Sequence, residues 1–598
     1  MQHEHSHMSK LNCGALVLLN SASGSVRDAR HHVLPYLEHL GVPYTSLDLL
    51  HEPLCHNIAD YALVIIAHAQ FDPGHSRLST ADRIALKHAV AEGTGLVSFD
   101  PHFPAPAEVA DDEQGANLDR ATGDAIVFTN QHSITALHDG QPIALVQPLT
   151  VPAMAASQSA TLLQVGGSPL LSVHALGAGR VVRWASVAWA RTDVLGPLGG
   201  LDDVFWRSLA WAARKPFVMR GMPPIVGMRV DDVAGTGHVW DQAPLWWVHV
   251  CNRYGLKPWL GLFLYNLTPE AIADVRTLVA EGKATAFPHA FGRPPRSAKF
   301  DYIATYAADA FPLRSSTYDE FIYFDHEQGR PWSDDEAARG LAAVDEWHAR
   351  HVIPIAKYAI AHWGEMGQNV VAHIRDHWGV EFMGAMHDVG LPLAADHPWL
   401  TLGPFRLHEP PGACFFAASR RSTRPVYYAD FVNFAGRQFF VCLTEIRDDA
   451  GYEWAPDENV AQTVGRGVRQ LRRALDSMAL PVLFTHETDY IYKISPAAWE
   501  AEIAQITAAI QHYQPIYLTM DDAVRYVRAL RTSRLASAQF DVEQRELTVA
   551  FYGHADVPTQ FHLFTESTHD APGNNGVTAV RIDVPAFEEV TAVTHVLR

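Results

Sequence analysis

Short apolar runs alternate with amphipathic stretches over the first third of the chain. Gly14–Leu19 (GALVLL) is continuously apolar, as expected of a strand buried on both faces. A helical pattern follows over Val26–Leu40, then an apolar strand over Ala62–Ala67 and a helix over Ser79–Glu92. The Gly-led stretch Gly93–Phe99 predicts another strand, Gly177–Trp184 a further one, and Leu201–Ala213 a closing amphipathic helix. Such alternation predicts a parallel sheet flanked by helices.

A second strand–helix series begins after Pro223-Pro224. The predicted strands are Ile225–Asp232, Trp259–Tyr265, Ala284–Phe287, Phe321–Phe324, Ile353–Ile360, Pro481–Thr485 and Ile516–Leu518. Between them lie helices opening at Thr268 (with Pro269 at the first helical position) and Ser333, and over Gln368–His377, Glu458–Leu475 and Pro496–Tyr513. An irregular insertion over 293–320 and a hairpin-like region over 400–445 interrupt the series. Beyond Arg531 the pattern alternates by two between turn residues, which predicts a small β-sandwich-like module. The expected fold class is therefore α/β, divided into segments 8–218, 222–531 and 535–598.

The chemistry-bearing residues gather where the second series of strands ends, which is the reactive face of parallel β/α architectures. Asp231 and Asp232 close the first strand of that series, and His289, His326 and His486 each stand just past another. Neighbouring side chains on a strand point opposite ways, but at its tip the pleat relaxes and both carboxylates can line one pocket. One can hold a metal while the other accepts a proton from water. Two histidines and an aspartate leave coordination positions open, as metal-assisted hydrolysis requires. Zinc is the expected ion for such donors.

These motifs resemble the NodB-homology polysaccharide deacetylases. Val230-Asp231-Asp232 is similar to their opening Asp-Asp motif, and His289 and His326 to their two metal-binding histidines. His362-Trp363-Gly364-Glu365-Met366-Gly367 resembles their Arg-Pro-Pro-Tyr-Gly segment, and Phe484-Thr485-His486 their late Leu-x-His motif. The resemblance covers about 222–530 with all elements in order. It implies a deformed (β/α) barrel with Asp231 as general base, Asp232, His289 and His326 as metal ligands, and His486 as general acid. The implied reaction is hydrolysis of an N-acyl group, acetyl foremost, on an amino sugar or related amide. The chain departs from the pattern in having Val233 where a glycine is usual and 37 positions between His289 and His326. His362 stands where an Arg is expected and is an alternative third ligand; Trp363 and Glu365 are further candidates for the pocket. The first segment, through GTGLVSFDP and GAGRVVRWAS, resembles class I glutamine-amidotransferase-like domains, which are flavodoxin-like. It has Ser98 and no Cys after the central strand, so a non-catalytic role is expected.

Composition narrows the field without changing it. The 598 residues are too many for one core at about 100–200 per domain. A hydrophobic share of 48% and a charged share of 19% exclude extended disorder. A net charge of −20 with no basic stripe argues against a nucleic-acid partner, and no apolar run suits a membrane span. Five scattered cysteines without a CxxC motif fit a reducing, cytoplasmic compartment. Residues 1–7 read as a histidine-bearing expression tag. A homo-oligomer is compatible with all of this. Two rival readings stand beside the deacetylase: a glycoside hydrolase pairing Asp231 with Glu327 or Glu365, and a carbohydrate-binding protein without catalysis.

Overall fold

A computed structural model describes residues 10–54, 57–101, 103, 120–152, 154, 159–191, 193–292, 320–326, 328–388, 429–447, 454–566 and 579–597. The molecule is a mixed α/β structure. The apolar run at Gly14–Leu18 lies in the strand Lys10–Leu19 and is buried throughout. It pairs in parallel with Tyr44–Asp48 on one side and Tyr61–Ile66 on the other. Gly95–Ser98 and then Gly179–Trp184 continue the parallel set. Thr80–Ala91 forms the helix between the third and fourth of these strands, opened by a capping box in which Ser79 and Asp82 satisfy each other's backbone N–H. Antiparallel strands over 168–176, 160–165, 120–128 and 143–152 extend the sheet beyond Gly179–Trp184.

The far end of the chain completes this sheet. Ser533–Asp541 pairs antiparallel with Lys10–Asn12, and Glu546–Ala555 and Phe587–Val596 follow outward, giving twelve strands among the described residues. Thr559–Phe564 and Val580–Val584 join Phe217–Met219 in a second sheet. The two sheets face each other across Cys13, Val218, Phe540, Phe551 and Phe561. The packing is sandwich-like, but the module expected at 535–598 is not self-contained. Its alternating strands needed hydrogen-bonding partners, and they find them on strands near residues 10 and 217.

The middle of the chain carries a parallel sheet ordered Thr285–Ala290, Pro258–Phe263, Ile225–Val233, Val482–His486, with Ile516–Tyr517 against the start of Ile225–Val233. A second arc holds Tyr358–Ala359, Phe382–Asp388 and Arg437–Arg447 in parallel, with Ala429–Phe434 antiparallel at its edge. The arcs approach each other at two seams, Thr285–Ala290 beside Tyr358–Ala359 and Arg437–Arg447 beside Val482–His486. Helices Pro269–Ala280, Asp334–His351, Val460–Asp476 and Pro496–Ala509 start at Thr268, Ser333, Asn459 and Ser495, whose side chains each accept a first-turn N–H. The expected insertion over 293–320 falls almost wholly outside the described residues, as does much of the region over 400–445. Among the described residues no helix is long and apolar enough to cross a membrane.

In the first segment, Ser98 is buried and spent on its own turn. Its hydroxyl donates to the Asp100 carbonyl at 3.2 Å and accepts the Asp100 N–H at 3.1 Å. The nearby His68 is likewise committed to backbone, accepting the Asn20 N–H at 3.0 Å. Neither forms a nucleophile–base pair with the other.

Candidate metal centre

Ile225–Val233 is buried along its whole length, and its last turn of pleat is broken. The register against Pro258–Phe263 shifts between Val230 and Val233, and Asp232 has a left-handed backbone with φ of +57°. Such a bulge re-aims side chains. Asp231 stays in register opposite His486, while Asp232 swings its carboxylate toward the end of Thr285–Ala290. An aspartate tolerates this backbone better than most residues, because its short polar side chain bonds locally.

Asp232 Oδ1 lies 3.4 Å from His289 Nε2 and 3.2 Å from His362 Nδ1. All three side chains are buried, and their donor atoms lie within 4.8 Å of one another. The other nitrogen of each ring is already engaged. His289 Nδ1 donates to the Ile360 carbonyl at 2.8 Å, and His362 Nε2 faces Glu320 Oε1 at 2.6 Å. Metal-bound histidines are held this way, by a carbonyl or carboxylate at the far nitrogen. The donor set has a further requirement. Because the Ile360 carbonyl only accepts, His289 must carry its proton on Nδ1, which leaves the Nε2 lone pair facing Asp232 at 3.4 Å and Asp231 at 3.7 Å. Lone pairs repel there unless a second proton or a cation stands between them. Tetrahedral ligands at bond lengths near 2.1 Å sit about 3.4 Å apart, close to the observed spacings. The residues therefore fit a divalent cation.

Opposite charges are paired across the same atoms. Burial alone would raise the Asp232 carboxyl, but the imidazoles of His362 and His289 hold it well below the usual carboxylate range. Burial would lower His362, yet Asp232 and Glu320 lift it to about 9. The rings pack at right angles, 5.0 Å between centroids, with Phe263 stacked on His289 and edge-on to His362. Gly261 is required beneath them, since a Cβ there would come within 3.1 Å of the His289 ring.

His326 stands elsewhere. Its Nδ1 meets Glu365 Oε2 at 2.8 Å, and its ring is stacked on Phe321 and tilted against Trp363. Among the described residues, no convergent set of metal donors includes it. The geometry converges instead on His362, the alternative third ligand, because the turn after Tyr358–Ala359 carries that ring inward. Glu365 is fully buried and holds His326; Glu327 lies outside the described residues. Trp363, also at a positive φ of 57°, is 52% exposed beside this group.

Asp231 and His486 are register partners on adjacent strands beside the cluster. Arg229 grips both oxygens of Asp231, through Nε at 2.8 Å and through Nη2, and reaches Glu445 at 3.1 Å with Nη1. Burial would raise the Asp231 carboxyl, but Arg229 and then His289 keep it low. His486 shares a second group of potential ligands with Asp232 and Asp489. Arg229, Glu320 and Asp489 were not among the expected site residues. Arg229 was detectable, since residues two apart on a strand share a face. Glu320 had no such signal, for it adjoins the long insertion.

The loop after Asp232 is tied down by Glu487, next to His486. Its carboxylate accepts five hydrogen bonds, from the N–H groups of Ala234, Gly235 and Thr236, the Thr236 hydroxyl and the Trp247 indole. Glu487→Gln turns one acceptor into a donor facing donors, and is expected to cost about 2–3 kcal/mol in urea denaturation. A change under about 0.5 kcal/mol would contradict this role.

No protein-family model matches the chain, and no curated protein does. A solved structure of Agd3, described as a novel carbohydrate deacetylase, superposes over 98% of this chain and 99% of its own, with a TM-score of 0.52 at 10% identity. That likeness shows a shared overall fold. The cytoplasmic protein STM3548 from Salmonella typhimurium covers 34% of this chain and all (100%) of its own at 14% identity, with a TM-score of 0.24. A beta-galactosidase from Bacillus circulans sp. alkalophilus covers 29% of each chain at 14% identity, with a TM-score of 0.21. Neither of these two is alike enough to bear on the fold or the site.

Proposed function

We propose that this chain is a divalent-cation-dependent hydrolase that removes an N-acyl group, acetyl foremost, from an amino sugar. The carrying observation is the convergence of Asp232, His289 and His362 on one point, with each ring's far nitrogen anchored and Asp231 and His486 paired beside it. Agreement in overall fold with a protein described as a carbohydrate deacetylase supports the reading. On this reading segment 222–531 is a deformed (β/α) barrel that carries the chemistry. Segment 8–218 is a flavodoxin-like unit without catalysis, and 535–598 braces it.

Asp232, His289 and His362 would hold the cation, with zinc the expected ion. When bound, it would polarise the acyl carbonyl and make water a nucleophile at neutral pH. Asp231 accepts the water proton. Arg229 holds it in one orientation and keeps it ionised, and each gripped oxygen retains a further lone pair for that proton. His486, across the strand pair, delivers a proton to the departing nitrogen, which would otherwise leave as a strongly basic anion. Trp363 offers an apolar face to the sugar ring. Trp363→Ala is expected to raise KM about five- to tenfold with kcat nearly unchanged, as steady-state kinetics would read for lost uniform binding. An unchanged KM would remove Trp363 from the site.

The test is release of acetate and free amine from a panel of N-acetylated sugars, with chelator and after zinc is restored. Release that stops with chelator and returns with zinc is expected. No release by zinc-loaded protein from any member of the panel, or release indifferent to chelator, would overturn the proposal.

A further inference from the structure

We infer that Asp345, His373 and His377 form a second cation site, for a late first-row divalent ion such as zinc, independent of the Asp232 cluster. Asp345 lies on the helix Asp334–His351. The expected helix over Gln368–His377 is present, and it widens from a tight turn at 368–370 to a π-type turn at His373–His377. That turn puts two histidines four residues apart side by side, their rings 4.6 Å apart between centroids.

The donor atoms converge. Asp345 Oδ2 lies 3.0 Å from His373 Nε2 and 3.4 Å from His377 Nε2, and all three donors lie within 4.8 Å of one another. These are the spacings of ligands around a small tetrahedral ion, about 3.4 Å for bonds near 2.1 Å. His373 Nε2 is enclosed and, despite its closeness to Oδ2, makes no aligned hydrogen bond. The carboxylate is also pre-oriented, because Asp345 Oδ1 accepts the Trp378 indole N–H at 2.6 Å. Trp378 meets the His373 ring edge-on at 5.4 Å, which fixes that ring in turn.

Two imidazoles and one carboxylate match the donor preferences of zinc and its neighbours rather than those of magnesium or calcium. The side chains are 30%, 29% and 62% exposed for Asp345, His373 and His377, so the ion exchanges with solvent. Its effect is mechanical. It staples the π-type turn to the long helix, and so stabilises the folded chain by mass action.

Zinc chloride titrated into the full chain tests this. The background carries Asp232→Asn to disable the central cluster, with His3, His5 and His7 changed to Ala to remove the N-terminal histidines. One equivalent of zinc should bind, with a rise in melting temperature. Adding His377→Gln should weaken uptake at least about tenfold and remove the rise, whereas His377→Asp, which restores a donor, should retain both. His377 is mostly exposed, so the zinc-free melting curves of the parent background and His377→Gln should coincide. Equal zinc binding with Gln or His at 377, or no uptake in the Asp232→Asn background, would overturn the inference. Neither result would touch the deacetylase reading, which rests on chelator-sensitive turnover in the parent chain.

Discussion

Asp232→Asn is expected to empty the central site of its cation and to lower turnover by more than about 10³-fold, the scale of several kcal/mol of lost electrostatic stabilisation. Asparagine is the right probe because it has the same shape and accepts the left-handed backbone at φ +57°. The change therefore removes charge without breaking the bulge. Two imidazoles alone then face the point where the cation would sit, with Asp231 already committed to Arg229. Asp231→Asn should behave oppositely. The cation stays, and turnover falls about 10²–10⁴-fold because water has lost its proton acceptor. Elemental analysis beside steady-state kinetics separates the two variants. Full stoichiometric metal in Asp232→Asn would sink the assignment of that residue.

The largest effect on stability is expected at Arg229. Its guanidinium is buried, bridges Asp231 and Glu445, and lies 3.9 Å over the Phe484 ring. Arg229→Met keeps most of the volume but leaves two buried carboxylates without their cation. Breaking a buried pair from one side costs about 3–5 kcal/mol. Arg229→Lys should not rescue it, since a point charge cannot replace a fork that meets two carboxylates and stacks on a ring. The pH dependence has a definite sign. In the parent, Asp231 has a folded pKa below its unfolded one, so its stabilisation is present above about pH 4 and fades as acid reaches the folded pKa. In Arg229→Met burial is opposed only by His289 and His486, so the carboxyl is expected to rise and protonation to relieve the variant. The stability gap to the parent should narrow as pH falls from 7 toward 4.5 in urea denaturation. A gap that stays constant or widens would show that the lost packing on Phe484, and not charge, is responsible.

Much of the site could be seen in the sequence because it stands at the ends of apolar runs. Asp231, Asp232, His289 and His486 occupy strand ends, and periodicity alone reveals where strands stop. The bulge that lets both aspartates approach His289 was not visible, because a local register shift leaves no mark on the hydrophobic pattern. Proximity to a strand end was also what favoured His326. Its ring is turned aside by Glu365 and Phe321, contacts that form only once distant loops pack. His362 and Glu320 come together across 42 positions, a pairing set by tertiary structure alone. The same limit explains the C-terminal strands. Their alternation predicted sheet correctly, but nothing in a period of two says that Ser533–Asp541 would pair with Lys10–Asn12.

Diffraction from crystals of the zinc-loaded protein, collected at the zinc absorption edge, would locate the cation itself. An anomalous peak is expected about 2.0–2.2 Å from Asp232 Oδ1, His289 Nε2 and His362 Nδ1. Zinc-loaded crystals with no peak between those three side chains, or with the ion seated on His326 instead, would contradict this assignment.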